Sequence, residues 1–328
     1  MLRLYGGATF PSAGAEKTVA LGTLPNLYPP MLSFFIPPPP KLSFSGHDSF
    51  QCRSLWLKKG FDFVEAGNSF TSEDAVMKLG VGKNMVNAIR YWMRAFGLTK
   101  EGDQTTDLAK KLLNDGDGWD PYLEDKASLW LLHYELIRQQ RASTYHLIFN
   151  GLRRDKIEFT KSHFFTYATR QAVSQNEAVN ENTVKADFEV FTKLYTRTAA
   201  QQKDRDEGSS GLLTDLELVS SFRRKKEDEY YVIANADRPD LPDEVLLYAI
   251  LMQMDTYAMS VNFDTLLSDA FQVGTVFALN SSGLYAKLER IVANRRNHAV
   301  FSDQAGIREL SFTKRPDPLA VLASYYAR

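Results

Sequence analysis

One cysteine, Cys52, is all that the 328 residues contain. A lone thiol excludes an intramolecular disulfide framework, a four-cysteine zinc site and a cysteine-ligated iron–sulfur cluster. No run of about 18 apolar residues occurs, so no membrane span is expected. The start of the chain holds Arg3, scattered Gly and Pro and no continuous apolar stretch, which is not a signal peptide; a cytoplasmic protein is expected. Excess charge of one sign is missing too: Lys+Arg is 39 and Asp+Glu is 40, a formal net charge of −1. That excludes a globally cationic nucleic-acid coat and requires any DNA contact to use a local patch. Gly80-Val81-Gly82-Lys83 lacks the spacing and hydroxyl of a phosphate loop, since Asn84 follows the lysine. No paired carboxylates form an acid/base set and no zinc-ligand motif is complete. A non-enzymatic chain without cofactor or metal is the expectation.

What is present is material for packed cores: 44% hydrophobic, 12% aromatic and 24% charged residues. The length suits two or three small domains or one large one. Residues 1–40 read as a disordered Pro-rich tail ending in Pro37–Pro40, with Met31 an alternative start. An N-terminal winged-helix domain is expected over 41–118. A helical middle follows over 119–200, then a polar linker and strand over 201–245, and a winged-helix-like domain over 246–328.

Residues 83–96 carry the most information. Met85, Ile89, Trp92 and Phe96 form one apolar stripe at steps of four, three and four. Lys83, Asn87, Arg90 and Arg94 repeat with the same steps on another face. Val81 to Leu98 holds three cations and no acid, a local charge of about +3. Before it, Ser72 is expected to cap a short helix that ends at Gly80; after it come Gly97 and a small hairpin over 98–106. Short helix, glycine turn, basic-faced helix and hairpin make the winged helix-turn-helix pattern, which presents Arg, Lys and Asn to phosphates and base edges. The competing reading is a core helix with a solvated basic face.

The theme recurs. Residues 159–173 and a second helix capped by Asn182 or Thr183 form a helix-turn-helix-like pair with balanced charge, a poor phosphate surface. Phe149-Asn150-Gly151 reads as a turn, and His133 and His146 as core residues. Farther on, Leu284, Leu288 and Ile291 make a stripe, with Lys287, Arg290, Arg295 and Arg296 on or just beyond it, opposed only by Glu289. A hairpin is expected over 299–312. The opposed blocks Arg223–Lys226 and Glu227–Glu229 read as a solvated loop.

Ser45-Gly46-His47-Asp48-Ser49-Phe50-Gln51-Cys52-Arg53 gathers an imidazole, a carboxylate and the only thiol. The structural reading is preferred: Asp48 caps a helix starting near Phe50 and His47 fixes the turn. An activated Cys52 carrying sulfur is the alternative.

The stretches 42–50, 56–60 (Trp56-Leu57-Lys58-Lys59-Gly60), 79–85, 89–92, 120–124, 129–133 and 305–308 resemble the DUF4007 family of uncharacterised bacterial and archaeal proteins, across roughly 41–313. The resemblance implies a setting beside sulfur-transfer enzymes in DNA-phosphorothioation or phage-defence gene clusters; it carries over no catalytic residue.

The expected fold is thus mainly α, with tandem winged helix-turn-helix-like units and small β-hairpin wings. The expected function is a DNA-binding accessory protein of a DNA-modification or phage-defence system. Its partner would be double-stranded DNA, with sulfur-transfer or defence enzymes as possible further partners. Lys83, Asn84, Asn87, Arg90 and Arg94 would form one surface, and Lys287, Arg290, Arg295 and Arg296 another. A transcriptional regulator of such a locus and a scaffold without DNA binding are the alternatives.

Overall fold

A computed structural model describes residues 41–197, 210–224, 228–304 and 306–327. The expected tail with Met31, most of the linker after 200 and the middle of the 223–229 charge blocks lie outside the described residues. Those from 41 onward belong to one compact unit.

The N-terminal part is helical: α1 (Trp56–Glu65), α2 (Ala75–Leu79), α3 (Lys83–Ala95) and α4 (Asp107–Leu113). α1 starts six residues later than expected. Ser45, Asp48 and Ser49 all take left-handed conformations, with φ of 66°, 46° and 67°, and so turn the chain before it can enter a helix. Asp48 therefore caps nothing. Ser72 is also too early to cap; its hydroxyl donates to Ser69 O at 2.7 Å, and α2 begins after Asp74. Gly80, with φ of 64°, ends α2 in the left-handed form that glycine allows. Thr106 caps α4 by accepting from Ala109 N at 3.2 Å.

α5 (Lys126–Arg138) carries apolar residues on several sides and is buried from Ala127 to Ile137. α6 (Ser143–Leu147) runs through a π-helical turn, Ile148–Leu152, into the single-turn α7 (Arg153–Asp155). The expected turn at Phe149–Gly151 is this π-turn. A Cβ at Gly151 would come within 1.8 Å of the Tyr167 hydroxyl, so that ring would have to move aside.

Next come β1 (Glu158–Phe159), α8 (Lys161–Ser174), α9 (Glu181–Tyr195), β2 (Ser220–Arg223) and β3 (Glu229–Val232). Asn180, not Asn182 or Thr183, caps α9 by accepting from Thr183 N at 3.1 Å. The rest comprises α10 (Asp243–Gln253), β4 (Ser260–Asn262), α11 (Phe263–Ser268), α12 (Val273–Val276), α13 (Ser281–Ala293), β5 (Ala299–Gln304), β6 (Ile307–Phe312) and α14 (Pro318–Tyr326), which packs on α10.

The two antiparallel sheets have orders β1-β3-β2 and β4-β6-β5. In both, a short strand precedes the helices, and the following hairpin folds its second strand back onto that first strand. Phe159 thus faces Tyr231, and Val261 and Phe301 flank Leu310. The described chain is about half helical with these two small sheets, a mixed fold in which helix predominates rather than a mainly α one. Among the described residues no helix is long and apolar enough to cross a membrane.

Candidate functional site

α3 buries Val86, Ile89, Trp92 and Met93, while Lys83, Asn84 and Asn87 stay exposed. Of the expected stripe, Ile89, Trp92 and Phe96 are buried and Met85 is half-buried against the core. Trp92 donates its indole N–H to Phe50 O at 3.0 Å, which pins α3 under the 45–50 turn. From that turn Asp48 Oδ2 accepts from Asn87 Nδ2 at 3.2 Å.

Arg90 and Arg94 are not free. Both grip Asp103, in the turn after α3: Arg90 Nε donates to Oδ2 at 2.8 Å, and Arg94 donates to Oδ1 through Nη2 at 2.7 Å and Nε at 3.0 Å. One carboxylate thus answers two guanidiniums, and the local charge falls from about +3 to about +2. Asp103 has a φ of 62°, and its turn is closed by Lys100 N donating to Gln104 O at 2.8 Å. The expected 98–106 hairpin exists in this minimal form, with a single bridge between Thr99 and Thr105.

The second surface divides. Lys287 is 1% exposed, so it does not belong to a phosphate-facing surface. Its Nζ donates to Leu241 O at 2.5 Å, and burial pulls its pKa down to about 8 despite Asp243 3.9 Å away. The helical register shows why. Lys287 stands three residues after Leu284 and four before Ile291, on the apolar stripe itself. Arg290 is held by Asp243 through Nε at 2.7 Å and Nη2 at 2.8 Å. Arg295 and Arg296, in the turn that joins α13 to β5, are exposed and have no ion-pair partner among the described residues. The β5–β6 hairpin beside them follows the expected bounds closely, with Gly306 at φ 80° in its turn.

The His47 segment is a buried brace. His47 is 1% exposed and stacks on Trp92 at 5.9 Å between centroids. Its Nε2 lies 2.7 Å from Asp187 Oδ1, close but out of line for a hydrogen bond. Asp187 also accepts from Ser45 N at 2.5 Å and Thr144 Oγ1 at 2.7 Å. One carboxylate on α9 thereby ties the N-terminal turn to α6. The Cys52 thiol is fully buried, and burial pushes its pKa up, away from the thiolate that sulfur chemistry needs. Sequence reasoning missed Asp103, Asp187 and Asp243. Their partners lie 9 to 142 residues away, outside any helical period, and only the 9- and 13-residue spacings of Asp103 are local enough to have suggested a pair.

Residues 44–326 match the family model described as "Protein of unknown function (DUF4007)". Two solved structures are similar, one described as "Magnesium ion-bound SspB crystal structure" at 29% identity, the other as "SspB crystal structure" at 28%. For each the TM-score is 0.75, and 88% of this chain and 88% of the solved chain are covered. Among curated proteins nothing matches.

Proposed function

We propose, for a chain that belongs to the DUF4007 family, the role of a non-enzymatic DNA-binding accessory protein in a DNA-modification or phage-defence system. One observation carries the reading: α13 and the β5–β6 hairpin meet at Arg295 and Arg296, two exposed guanidiniums without an acid partner among the described residues. The order strand, helices, then a hairpin returning to the first strand, at 158–232 and again at 260–312, supports reading these two stretches as winged helices. In that fold the last helix enters the major groove and the hairpin lies against the backbone. Lys83 and Asn84, exposed at the start of α3, supply a smaller second contact.

The test is a salt titration of duplex binding by the wild type and an Arg295→Ala/Arg296→Ala variant. Binding at about 50 mM salt is expected, and the double variant should flatten the log–log salt slope by about two units. No binding at that salt, or identical slopes, overturns the reading. A locus regulator would instead require one defined operator, and a scaffold would co-purify with a partner without shifting DNA.

The magnesium ion of the solved relative favours a second reading, a protein that meets nucleic-acid phosphates together with Mg²⁺. Among the described residues no group of three or more His, Cys, Asp or Glu could hold a metal ion. Mg²⁺ commonly needs only one or two carboxylates when phosphates complete its shell. Repeating the titration with Mg²⁺ and with a chelator separates the two: tighter binding or strand cleavage with Mg²⁺ alone supports the second reading.

A further inference from the structure

Asn235 and α7 meet the N-terminus of α13 around a pocket of about 360 Å³. Arg153, Arg154, Asn235, Thr275, Asn280 and Ser281 are among its lining residues, and none of the described residues lining it is acidic.

Its floor is a buried cation without an anion. Arg153 is 9% exposed. Its Nε donates to Phe149 O at 3.1 Å, Nη1 to Asn235 Oδ1 at 2.8 Å and Nη2 to Thr275 O at 2.9 Å. Weaker contacts reach Ile233 O at 3.4 Å and Gly274 O at 3.5 Å. Carbonyl oxygens satisfy the donors of a guanidinium but do not cancel its charge. Arg238 approaches from the next segment, its Nη2 donating to Ala234 O at 2.6 Å. Burial, then the like charges of Arg238 and Arg154, pull Arg153 down to about 10. No carboxylate among the described lining residues offsets this buried charge.

The rim supplies donors. Arg154 is exposed, and no hydrogen bond or ion pair occupies it among the described residues. Asn235 spends its carbonyl on Arg153, which leaves its NH₂ free to donate. α13 is a 13-residue helix whose first amides, at Ser281 and Ser282, have no intrahelical acceptor and stand at the positive end of the dipole. Asn280 closes the turn by accepting from Gly283 N at 2.7 Å. An acid does stand at this helix end: Asp237, exposed and engaged by the Ser282 hydroxyl at 2.8 Å.

We infer that this pocket binds a phosphate group, seated on the α13 N-terminus and Asn235 and clasped by Arg154 over the buried charge of Arg153. The group comes from a DNA backbone or from a free phosphate monoester; both offer the same oxygens. The inference stands apart from the duplex-binding surface at Arg295 and Arg296, and neither depends on the other.

Calorimetric titration with inorganic phosphate at constant ionic strength tests it. Saturable one-to-one binding is expected, about tenfold weaker in Arg154→Ala and weakened also in Asn235→Ala. Arg170→Ala, which breaks the exposed pair with Asp155 outside the pocket, should bind as the wild type does. Displacement of phosphate by short duplex DNA assigns the site to backbone phosphate. Displacement by a nucleoside monophosphate but not by duplex assigns it to a free monoester. A wild type without saturable uptake, or an Arg154→Ala variant that binds phosphate as tightly, overturns the inference.

Discussion

Asp103 accepts from Arg90 and Arg94 at once, in a turn where its own backbone is left-handed at φ 62°. Two consequences follow from that one residue. The arginines are oriented, and their charge is partly spent. Hydrogen bonds to charged groups contribute about 1.5–3 kcal/mol each when not fully solvated, and the Asp103 side chain is only 12% exposed. Asp103→Asn keeps a residue that tolerates the left-handed region and still accepts one bond. It should lower stability by about 2 kcal/mol in urea denaturation and steepen the salt slope of DNA binding by about one unit. An unchanged slope with lowered stability would place the Arg pair outside the DNA surface. Substituting both arginines is the poorer test, because it leaves a nearly buried carboxylate without partners and mixes folding with contact.

At the scale of elements, α13 is set by a close approach that only glycine permits. A Cβ on Gly283 would come within 2.6 Å of Asp237 Cα and 2.8 Å of Asp237 O, and backbone cannot swing aside. Alanine at this helical position gains about 1 kcal/mol of propensity, whereas overpacking costs about 1–3 kcal/mol. Sterics should win: Gly283→Ala lowers the thermal midpoint, and since it lifts α13 off the 235–238 segment it should weaken DNA binding as well. A raised midpoint would show that the segment yields. The stripe of α13 and the hairpin after it were legible in the sequence because apolar spacing and a glycine turn mark them locally. Lys287 was legible in register and misjudged by charge: counting cations put it on a basic face, while its position between Leu284 and Ile291 puts it inside. β1 was not legible. It spans two residues and exists because β3, about 70 residues later, pairs with it. The late start of α1 was equally hidden, since nothing in the composition of Ser45–Ser49 announces three left-handed residues.

Across the whole molecule much of the near-cancellation of charge resolves into specific pairing. Asp103 answers α3, Asp243 answers Arg290, and Glu135 answers Arg138. Arg295 and Arg296, like Arg153 and Arg154, have no ion-pair partner among the described residues. One joint between parts uses neutral groups. His133, fully buried on α5, sits between the Tyr195 hydroxyl of α9 at 2.7 Å and Val276 O of α12 at 2.9 Å. A carbonyl only accepts, so Nε2 carries the proton and Nδ1 accepts from Tyr195. Burial holds His133 down to about 3 and His146 down to about 4, against 6.5 when unfolded. Between those values the unfolded chain binds the extra protons, so stability is full above pH 6.5 and falls as pH drops toward 3 to 4. Each proton is worth about 1.4 kcal/mol per pH unit, so two buried imidazoles give a limiting slope of about 2.7 kcal/mol per unit below pH 6. His146 is the removable one, because its Nε2 has no partner, whereas His133 is bonded at both nitrogens. His146→Leu should therefore keep or raise stability at pH 7 and lower the pH 6-to-5 slope by about 1.4 kcal/mol per unit in urea denaturation. An unaltered slope would mean that His146 takes up its proton without unfolding the chain.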